Sequence, residues 1–210
     1  MSRNSSLIDL RIKLDEAITY GTQEEAQELA RHGLKEAQVC SLPGEIEYFK
    51  GQLALIGENF TTAIEHFDKA IKYNPSDGAA YNDRALCMVE LGIIDEALVY
   101  FDKGIAVEPD YATIYHNKGW LLNNIGRHKQ AIGCFRKALE LEPERAVTYD
   151  NLADALLNLN DYEGALAAYK KVLQLLKPGL CSEIRNQVIA QVKSIEQKLA
   201  NGKGGFGRCQ

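Results

Sequence analysis

The sequence predicts an all-α fold in which helix hairpins stack in a row, because its features recur at one interval. Pro75, Pro109 and Pro143 follow one another at a step of 34 residues. A fixed period of about 20 to 50 residues is typical of proteins whose units bury their apolar faces only by stacking. The same step separates three tyrosines (Tyr81, Tyr115, Tyr149), four alanines (Ala63, Ala97, Ala131, Ala165) and four further aromatic residues (Phe67, Phe101, Phe135, Tyr169).

One repeat, 78–111, shows how each hairpin is specified. Its first half has apolar or small residues at steps of three and four, which is the spacing of one helix face. Gly92 ends this helix, because glycine adopts the left-handed conformation of a helix C-terminus without strain. Asp95 favours the positive end of a second helix, and Pro109 stops that helix. The two apolar stripes are Tyr81, Ala85, Met88 and Leu91, then Ala97, Phe101 and Ile105.

The same pattern predicts four hairpin units with further helices on both sides. The segment before them reads as a degenerate hairpin broken at Gly21, and the segment after them has the apolar stripe of a helix that caps a stack. The glycine-rich end of the chain is expected to be disordered. The predicted boundaries are 1–43 for the N-terminal helix pair, 44–77, 78–111, 112–145 and 146–179 for the four units, 180–200 for the capping helix and 201–210 for the tail.

The composition is typical of a folded protein in water. Hydrophobic residues make up 46% and charged residues 25% of the chain, and the formal net charge is −5. An acidic balance argues against nucleic acid and against anionic membranes as partners, since both require clustered Lys and Arg. The sequence has no signal-peptide core and no apolar run near the roughly 18 residues of a membrane span. We therefore expect a cytoplasmic protein.

Cysteine and histidine usage predicts no catalytic or metal site. The cysteine count is five, an odd number with no CxxC pair, which favours free thiols in a reducing compartment. The four histidines are scattered without the spacing of metal ligands. No phosphate-binding glycine loop precedes Lys-Ser or Lys-Thr, and no GxSxG elbow is present. We predict that the chain is not an enzyme and needs no cofactor and no metal. The residues concerned are Cys40, Cys87, Cys134, Cys181, Cys209, His32, His66, His116 and His128.

The run from Tyr115 to Pro143, YHNKGWLLNNIGRHKQAIGCFRKALELEP, resembles a tetratricopeptide repeat. Tyrosine, glycine, leucine, alanine, phenylalanine, alanine and proline occur in the order expected of that family. The resemblance extends over four units, from Gly44 to Gly179. It implies a right-handed superhelical solenoid whose concave groove is lined by the first helix of each hairpin. It also implies a non-enzymatic protein that holds a peptide or protein partner.

Transferring that geometry gives a candidate peptide-binding groove. The first-helix positions that would line this groove, the groove set counted from Glu45 onward, contain no Lys or Arg, and their charge would attract a basic peptide. They hold five carboxylates, Glu45, Asp83, Glu90, Asp150 and Asp154. Its asparagines offer both donors and acceptors to the backbone of an extended peptide, and Trp120 would be an aromatic anchor. The predicted site residues are Tyr48, Gln52, Asn82, Asp83, His116, Asn117, Trp120, Asn124, Asp150, Asn151 and Asp154.

The same residues also have interpretations that involve no binding role. The carboxylates are also consistent with ordinary solvated charges. Asn117 and Asn151 occupy positions where asparagine serves helix packing in the family, and Trp120 would equally suit a contact with the capping helix. The resemblance argues against one known use of the groove, the capture of chaperone C-terminal carboxylates, which needs Lys, Arg and Asn. Tyr48, Gln52, Asp83, Thr113 and Asn117 stand at those places instead, and a start one unit later meets Leu86 and Val147.

Four roles remain compatible with the sequence. The first is an adaptor or assembly scaffold that binds a peptide segment of its partner. The second is a dedicated chaperone for one secreted or assembling client. The third is a scaffold that associates with itself into a homo-oligomer through its ends. In the fourth, the basic tail with Lys203, Phe206 and Arg208 folds back into the acidic groove.

Overall fold

The computed structural model describes residues 3–176 and 182–204, and within these ranges the regular elements are eleven α-helices without strands. This confirms the all-α repeat fold. The helices are α1 (Arg3–Tyr20), α2 (Gln23–Val39), α3 (Pro43–Ile56), α4 (Phe60–Tyr73), α5 (Gly78–Glu90), α6 (Ile94–Val107), α7 (Ala112–Asn124), α8 (His128–Leu141), α9 (Ala146–Asn158), α10 (Tyr162–Leu175) and α11 (Ser182–Gly204).

The chain divides into two compact units, Met1–Pro109 and Asp110–Gln210, which we call unit 1 and unit 2. Unit 1 contains the three hairpins α1–α2, α3–α4 and α5–α6, and each helix packs on the next. Unit 2 contains α7–α8, α9–α10 and α11, which packs on α10. The buried face of α11 includes Val188, Val192 and Ile195.

The turns of the four hairpins from α3–α4 to α9–α10 share one backbone feature, which explains the glycines of the sequence pattern, whereas the α1–α2 turn at Gly21 lacks it. The first helix of a hairpin ends in a left-handed residue, Gly92 with φ 75° in one hairpin and Gly126 with φ 78° in the next. Asn160, with φ 60°, takes the same place in α9–α10. Glu58, with φ 57°, takes it in α3–α4, although its Cβ makes this conformation unfavourable.

The repeated aromatic residues fill the inside of the hairpins. Phe67 and Phe135 are fully buried. A Cβ atom placed on Gly51 would lie 2.6 Å from the Phe67 ring, and one placed on Gly119 would lie 2.8 Å from the Phe135 ring. The glycines of the first helices therefore leave room for rings from the second helices of the same hairpins.

Several sequence-based expectations lie outside the described residues. They concern Cys181, Cys209 and the last part of the predicted tail, residues 205–210. The predicted capping helix ended at residue 200, whereas α11 continues to Gly204. Cys40 and Cys87 are free thiols, and burial raises the pKa of Cys87 to about 12.

Two glycines within helices should respond to alanine in opposite directions. A Cβ on Gly33 would lie 2.2 Å from the ring of the fully buried Phe49, so we expect Gly33→Ala to lower the free energy of unfolding by about 1–3 kcal/mol. A Cβ on Gly133, in the middle of α8, would have no neighbour within 4 Å. Gly133→Ala should therefore stabilise the protein by roughly 0.5–1 kcal/mol through helix propensity. Urea unfolding of the two variants measures both effects, and the same sign for both would contradict this account of Gly33.

Candidate functional site

The first helices of the three hairpins in unit 1 share one face, and Arg11 of α1 links them. Its Nε donates to Glu45 Oε2 on α3 at 3.1 Å. Its Nη1 and Nη2 donate to the two carboxylate oxygens of Asp77, at the start of α5, at 3.1 and 2.7 Å. A bidentate pair of this kind fixes direction as well as distance. We call this set, with Tyr48, the Arg11 cluster.

The Arg11 cluster is largely withdrawn from water. The Arg11 side chain is 20% exposed, and those of Glu45 and Asp77 are 25% and 6% exposed. The guanidinium carbon lies 3.5 Å from the centroid of the Tyr48 ring, a cation–π arrangement. Asp77 also caps α5, because its Oδ1 accepts from the backbone N–H of Ala80 at 3.2 Å. One carboxylate thus joins the start of α5 to α1.

A second polar group, centred on Asp83, lies beside this cluster. The side-chain amide of Asn82 donates to Asp83 Oδ1 at 2.9 Å, and Gln52 Nε2 donates to Asp83 Oδ2. Burial raises the pKa of Asp83 to about 7, with hydrogen bonds from Asn82 and Tyr48 working against that rise. Gln52 Oε1 is buried and has no hydrogen-bond partner. Both carboxylate oxygens of Asp83 thus accept a hydrogen bond, and Gln52 Oε1 is an acceptor that none of the described residues uses.

Five of the eleven predicted site residues are buried, so the expectation of side chains facing an open groove does not hold for them. Tyr48 is covered by Arg11, and Gln52 and Asn82 are occupied by Asp83. His116, in unit 2, is held by Thr148 across 2.9 Å from its Nδ1 to the hydroxyl oxygen. The physical reason is that polar side chains of neighbouring first helices contact one another, as Gln52 does with Asp83 and His116 with Thr148, before any partner arrives. The buried five are Tyr48, Gln52, Asn82, Asp83 and His116.

The other six predicted residues lie on the first helices of unit 2 and are at least partly exposed. Trp120 is 38% exposed on α7, one turn before the exposed Asn124. Asp154 is exposed on α9, and it stands one period after Trp120. We call these three residues, with the half-buried Asn117, Asp150 and Asn151, the unit 2 face.

The unit 2 face is acidic at α9. Asp150 and Asp154 are one turn apart on that helix, and their carboxylates repel each other. Burial raises the pKa of Asp150, and the charge of Asp154 adds to the rise. The hydroxyl of Tyr169 on α10 donates to Asp154 Oδ1, which holds that carboxylate in place. A cation from a partner would relieve the repulsion between the two carboxylates.

Polar residues beneath the unit 2 face are paired within the protein. Arg145 Nη1 donates to the Thr113 hydroxyl oxygen at 2.8 Å, which links the start of α9 to α7. Burial lowers the pKa of His116 to about 4, and the nearby charge of Arg145 adds to this. His116 is thus neutral at pH 7 and acts as a packing residue beside Phe135, whose ring centroid is 6.0 Å away.

Sequence reasoning missed Arg11, although a signal for it existed. The groove set was counted from Glu45 onward and therefore contained no cation. Arg11 stands 34 residues before Glu45, so it occupies the same position of the repeat. Giving α1 the register of the later first helices would have placed this cation beside Glu45 and changed the predicted charge of the face in unit 1.

The described parts of the chain offer neither a metal site nor a membrane helix. Between residues 3–176 and 182–204, no group of three or more His, Cys, Asp and Glu side chains could hold a metal ion. No helix in the same ranges is long and apolar enough to cross a bilayer.

Stacked helix hairpins of this kind define a helical-repeat protein. Two models of the tetratricopeptide repeat family match the chain, one over residues 48–112 and the other over residues 110–177. Together they cover more than half of the chain, which belongs to the tetratricopeptide repeat family. Members of this family are generally modules for protein–protein interaction.

A curated relative matches one short stretch. Hsp70-Hsp90 organizing protein 3 of Arabidopsis thaliana is 39% identical over 54 residues, which are 26% of this chain and 10% of the relative. The chain thus spans about a tenth of that protein's length.

Solved structures match most of the chain and show the fold. TTC0263 of Thermus thermophilus, a thermophilic tetratricopeptide repeat protein, has a TM-score of 0.70 and 20% identity, over 87% of this chain and 96% of that one. YrrB, described as a tetratricopeptide repeat protein with an unusual peptide-binding site, has a TM-score of 0.56 and 18% identity, over 80% of this chain and 84% of that one. At these identities the likeness concerns the fold alone.

Proposed function

We propose that this protein is a non-enzymatic adaptor that binds a peptide segment of a partner protein on the first helices of its hairpins. The observation that carries the proposal is the unit 2 face, where Trp120 is exposed beside amide and carboxylate side chains. Tryptophan is highly buried on average in soluble proteins and is enriched in binding hot spots, so an exposed one favours an interaction surface.

The charge of the unit 2 face favours a basic segment in an extended conformation. Asp150 and Asp154 lie one turn apart and supply negative charge at α9. Asn124 and Asn151 offer donors and acceptors that match a peptide backbone. Steering by the acidic residues would raise the association rate and make it sensitive to salt.

Capture of a carboxylate by unit 1 is disfavoured by the Arg11 cluster. Arg11 is the cation that this cluster offers, and both Glu45 and Asp77 already bind it. A ligand carboxylate would have to displace two protein carboxylates and would then leave them unpaired in a nearly buried site. The proposal therefore keeps the sequence-based expectation that chaperone C-termini are not the partners.

A cytoplasmic location fits this proposal. Cys87 is a fully buried free thiol in the described part of the chain, and its raised pKa makes it unreactive. Such a residue acts as a small apolar side chain in a reducing compartment.

The test is an affinity pull-down from the cells that express the protein, read by mass spectrometry. The variant Trp120→Ala/Asn124→Ala removes the aromatic anchor and an adjacent amide. We expect it to lose a partner that wild type retains, because truncating a central aromatic residue typically costs about 2 kcal/mol or more of binding free energy. Lys129→Ala, an exposed change on α8, is the matched control and should retain the partner.

Stability separates loss of binding from loss of folding. Trp120→Ala should lower the free energy of unfolding by about 1–2 kcal/mol, less than truncation of a buried ring, because 38% of the residue is already exposed to water. Phe135→Ala should lower it by about 3–5 kcal/mol, because that ring is fully buried. A partner that is retained by the folded double variant would show that the unit 2 face is not the binding surface.

A further inference from the structure

A cavity of about 500 Å³ opens on unit 1 at the end of the first helices opposite to the Arg11 cluster. Its volume is in the range of about 300–1,000 Å³ that is typical of ligand sites. Apolar side chains form most of its wall, and the charged residues of the wall are both glutamates. The lining residues of this cavity, the Leu86 cavity, are Ala17, Ile18, Gly21, Thr22, Gln23, Ala26, Leu55, Ile56, Glu58, Phe60, Leu86 and Glu90.

The walls of the Leu86 cavity are held in place before any partner arrives. Gln23 Nε2, at the start of α2, donates to the backbone oxygen of Ile56 at 2.9 Å. This bond satisfies a carbonyl at the end of α3, which has no acceptor role inside its own helix. It also ties the turn between α1 and α2 to α3. A preformed site avoids the entropy cost of ordering its walls on binding.

The surroundings of the cavity are strongly acidic. A second cavity of about 340 Å³ adjoins it and shares Ala17 and Gly21. Counting both linings, the charged side chains are four glutamates (Glu16, Glu25, Glu58, Glu90) and one lysine (Lys13). An apolar floor with an acidic rim is complementary to a segment that carries apolar and basic side chains together.

Glu58 is an independent sign that the rim has a role. It has φ 57°, whereas the equivalent turns of the three later hairpins use Gly92, Gly126 and Asn160. A glutamate strains the backbone there, because its Cβ disfavours the left-handed region. Strain of this kind persists mainly where function retains the side chain, and here the residue lines the cavity.

The opposite end of the same face is closed. Arg11 covers Tyr48 and binds Glu45 and Asp77. These two carboxylates are therefore already paired and cannot bind a basic side chain of a partner without displacing Arg11. One turn before Leu55 and Ile56, Gln52 Oε1 is a buried acceptor without a partner. The free binding capacity of this face therefore lies at the Leu86 cavity.

We propose that the Leu86 cavity binds a short amphipathic segment of a partner protein, with apolar side chains inserted against Leu55 and Leu86 and with Lys or Arg paired to Glu58 and Glu90. This rests on the proposed function, that the protein holds a peptide segment, and it names a second subsite and its chemistry. The apolar contacts supply most of the affinity, and the rim glutamates select for positive charge.

The probe is an array of synthetic peptides of about twelve residues, in which Leu or Phe pairs are flanked by Arg. Each peptide has two controls, one with Glu in place of Arg and one with Ser in place of the apolar pair. Peptides that wild type binds are labelled with fluorescein and titrated in solution by fluorescence polarisation. We expect wild type to bind members of the Arg set and neither control.

Two variants address the cavity. Leu86→Ser should weaken the binding of the Arg peptides at least about tenfold, because it removes a side chain that the peptide would bury. The fold should tolerate it, since Trp120 and Asp154 stand at the equivalent positions of the next repeats. Glu90→Lys, a change at the cavity rim, should weaken the Arg set and give binding of the Glu set. Glu65→Lys makes the same charge change on the exposed surface of α4, outside both cavity linings, and should leave both sets as in wild type.

Glu58→Gly should separate stability from binding in one variant. Glycine relieves the left-handed strain, so the melting temperature should rise by about 2–4 °C. The affinity for the Arg peptides should fall about two- to fivefold, because one rim charge is lost. A lower melting temperature would show that Glu58 is not strained. Unchanged affinity would show that the rim glutamates do not contact the peptide.

Other results would overturn the proposal. They are an array without a preference for the Arg set, equal binding by Leu86→Ser, or concentration-dependent self-association of the protein that Leu86→Ser abolishes, which would make a second copy the occupant. The pull-down with the same variants separates this proposal from the proposed function. If Trp120→Ala/Asn124→Ala loses the partner and Leu86→Ser retains it, the unit 2 face is the binding surface and the cavity is not. If Leu86→Ser loses the partner and the double variant retains it, the Leu86 cavity is the binding surface.

Discussion

Replacing Arg11 with methionine is expected to destabilise unit 1 by about 2–3 kcal/mol, although methionine keeps most of the side-chain volume. Removing one partner of a buried ion pair typically costs about 3–5 kcal/mol, since the remaining charge is left without compensation. We expect a loss below that range because the side chains of Arg11 and Glu45 are still 20% and 25% exposed to water. Burial already raises the pKa of Glu45, and the loss of Arg11 should raise it further.

The result can be assigned to the ion pairs by two further variants. Asp77→Asn keeps a good cap for α5, so in the Arg11→Met background it should recover part of the lost stability. Arg31→Met, on the exposed surface of α2, removes a charge that donates to the neutral Gln27 side chain at 3.0 Å, and it should change stability by less than about 0.5 kcal/mol. Urea unfolding followed by circular dichroism measures all three. Similar losses for Arg11→Met and Arg31→Met would show that the Arg11 cluster contributes no more than an ordinary surface charge.

The hairpins were predictable because each rests on local chemistry repeated along the chain. Gly92 and Gly126 end their helices by taking the left-handed conformation that other residues avoid. Phe67 and Phe135 are buried at the repeated aromatic position, against glycines of the preceding helices. Such signals lie within a few residues of the structure that they specify, so one sequence is enough to read them.

The candidate site was harder to predict because its bonds join distant positions. Arg11 and Asp77 are 66 residues apart, and His116 and Thr148 are 32 apart. Helix periodicity does not show that Gln52 of α3 already binds Asp83 of α5, or that Thr148 of α9 already binds His116 of α7. The exposure of Trp120 likewise depends on how much of its ring the neighbouring helices cover, which the spacing of residues along α7 does not specify.

Unit 1 should lose stability as the pH rises from about 4 to about 7, because of Asp83. Burial raises the pKa of this carboxyl from 3.8 to about 7, so the folded state holds its proton more tightly than the unfolded state. Between these values the folded protein binds more protons, and the free energy of unfolding falls as the pH rises. The cost of ionisation at neutral pH is on the order of 3 kcal/mol.

Asp83→Asn should remove most of this slope. The Asn82 and Gln52 amides both donate to the Asp83 carboxylate, so an asparagine there needs one of them to become an acceptor. Gln52 can supply that acceptor by turning its amide, since its Oε1 has no partner at present. Hydrogen exchange of the α5 peptides across this pH range, corrected for the intrinsic exchange rate, compares wild type with the variant. An unchanged slope in Asp83→Asn would mean that other carboxyls, such as Glu45, carry the effect.

Unit 2 should respond to pH in the opposite direction, because His116, a base, is buried, whereas Asp150, whose raised pKa acts the other way, is only half-buried. Burial lowers the pKa of His116 from 6.5 to about 4, and Arg145 adds to the shift. The unfolded state therefore binds the proton more tightly, and stability is lost as the pH falls from about 6.5 to about 4. The loss is on the order of 3 kcal/mol at the acidic end. The only tryptophan of the chain, Trp120, lies one turn after His116 on α7, so its fluorescence reports unfolding of this unit.

The comparison with His116→Gln decides whether the histidine is responsible. Glutamine keeps a polar group for the Thr148 hydroxyl but has no proton to gain in this range. Urea midpoints read from Trp120 fluorescence should fall on acidification in wild type and stay nearly level in the variant. A parallel fall in both proteins would assign the acid sensitivity to carboxylates of unit 2. A slope of the same sign in the two units would contradict the assignment of their pH dependence to a buried acid in one and a buried base in the other.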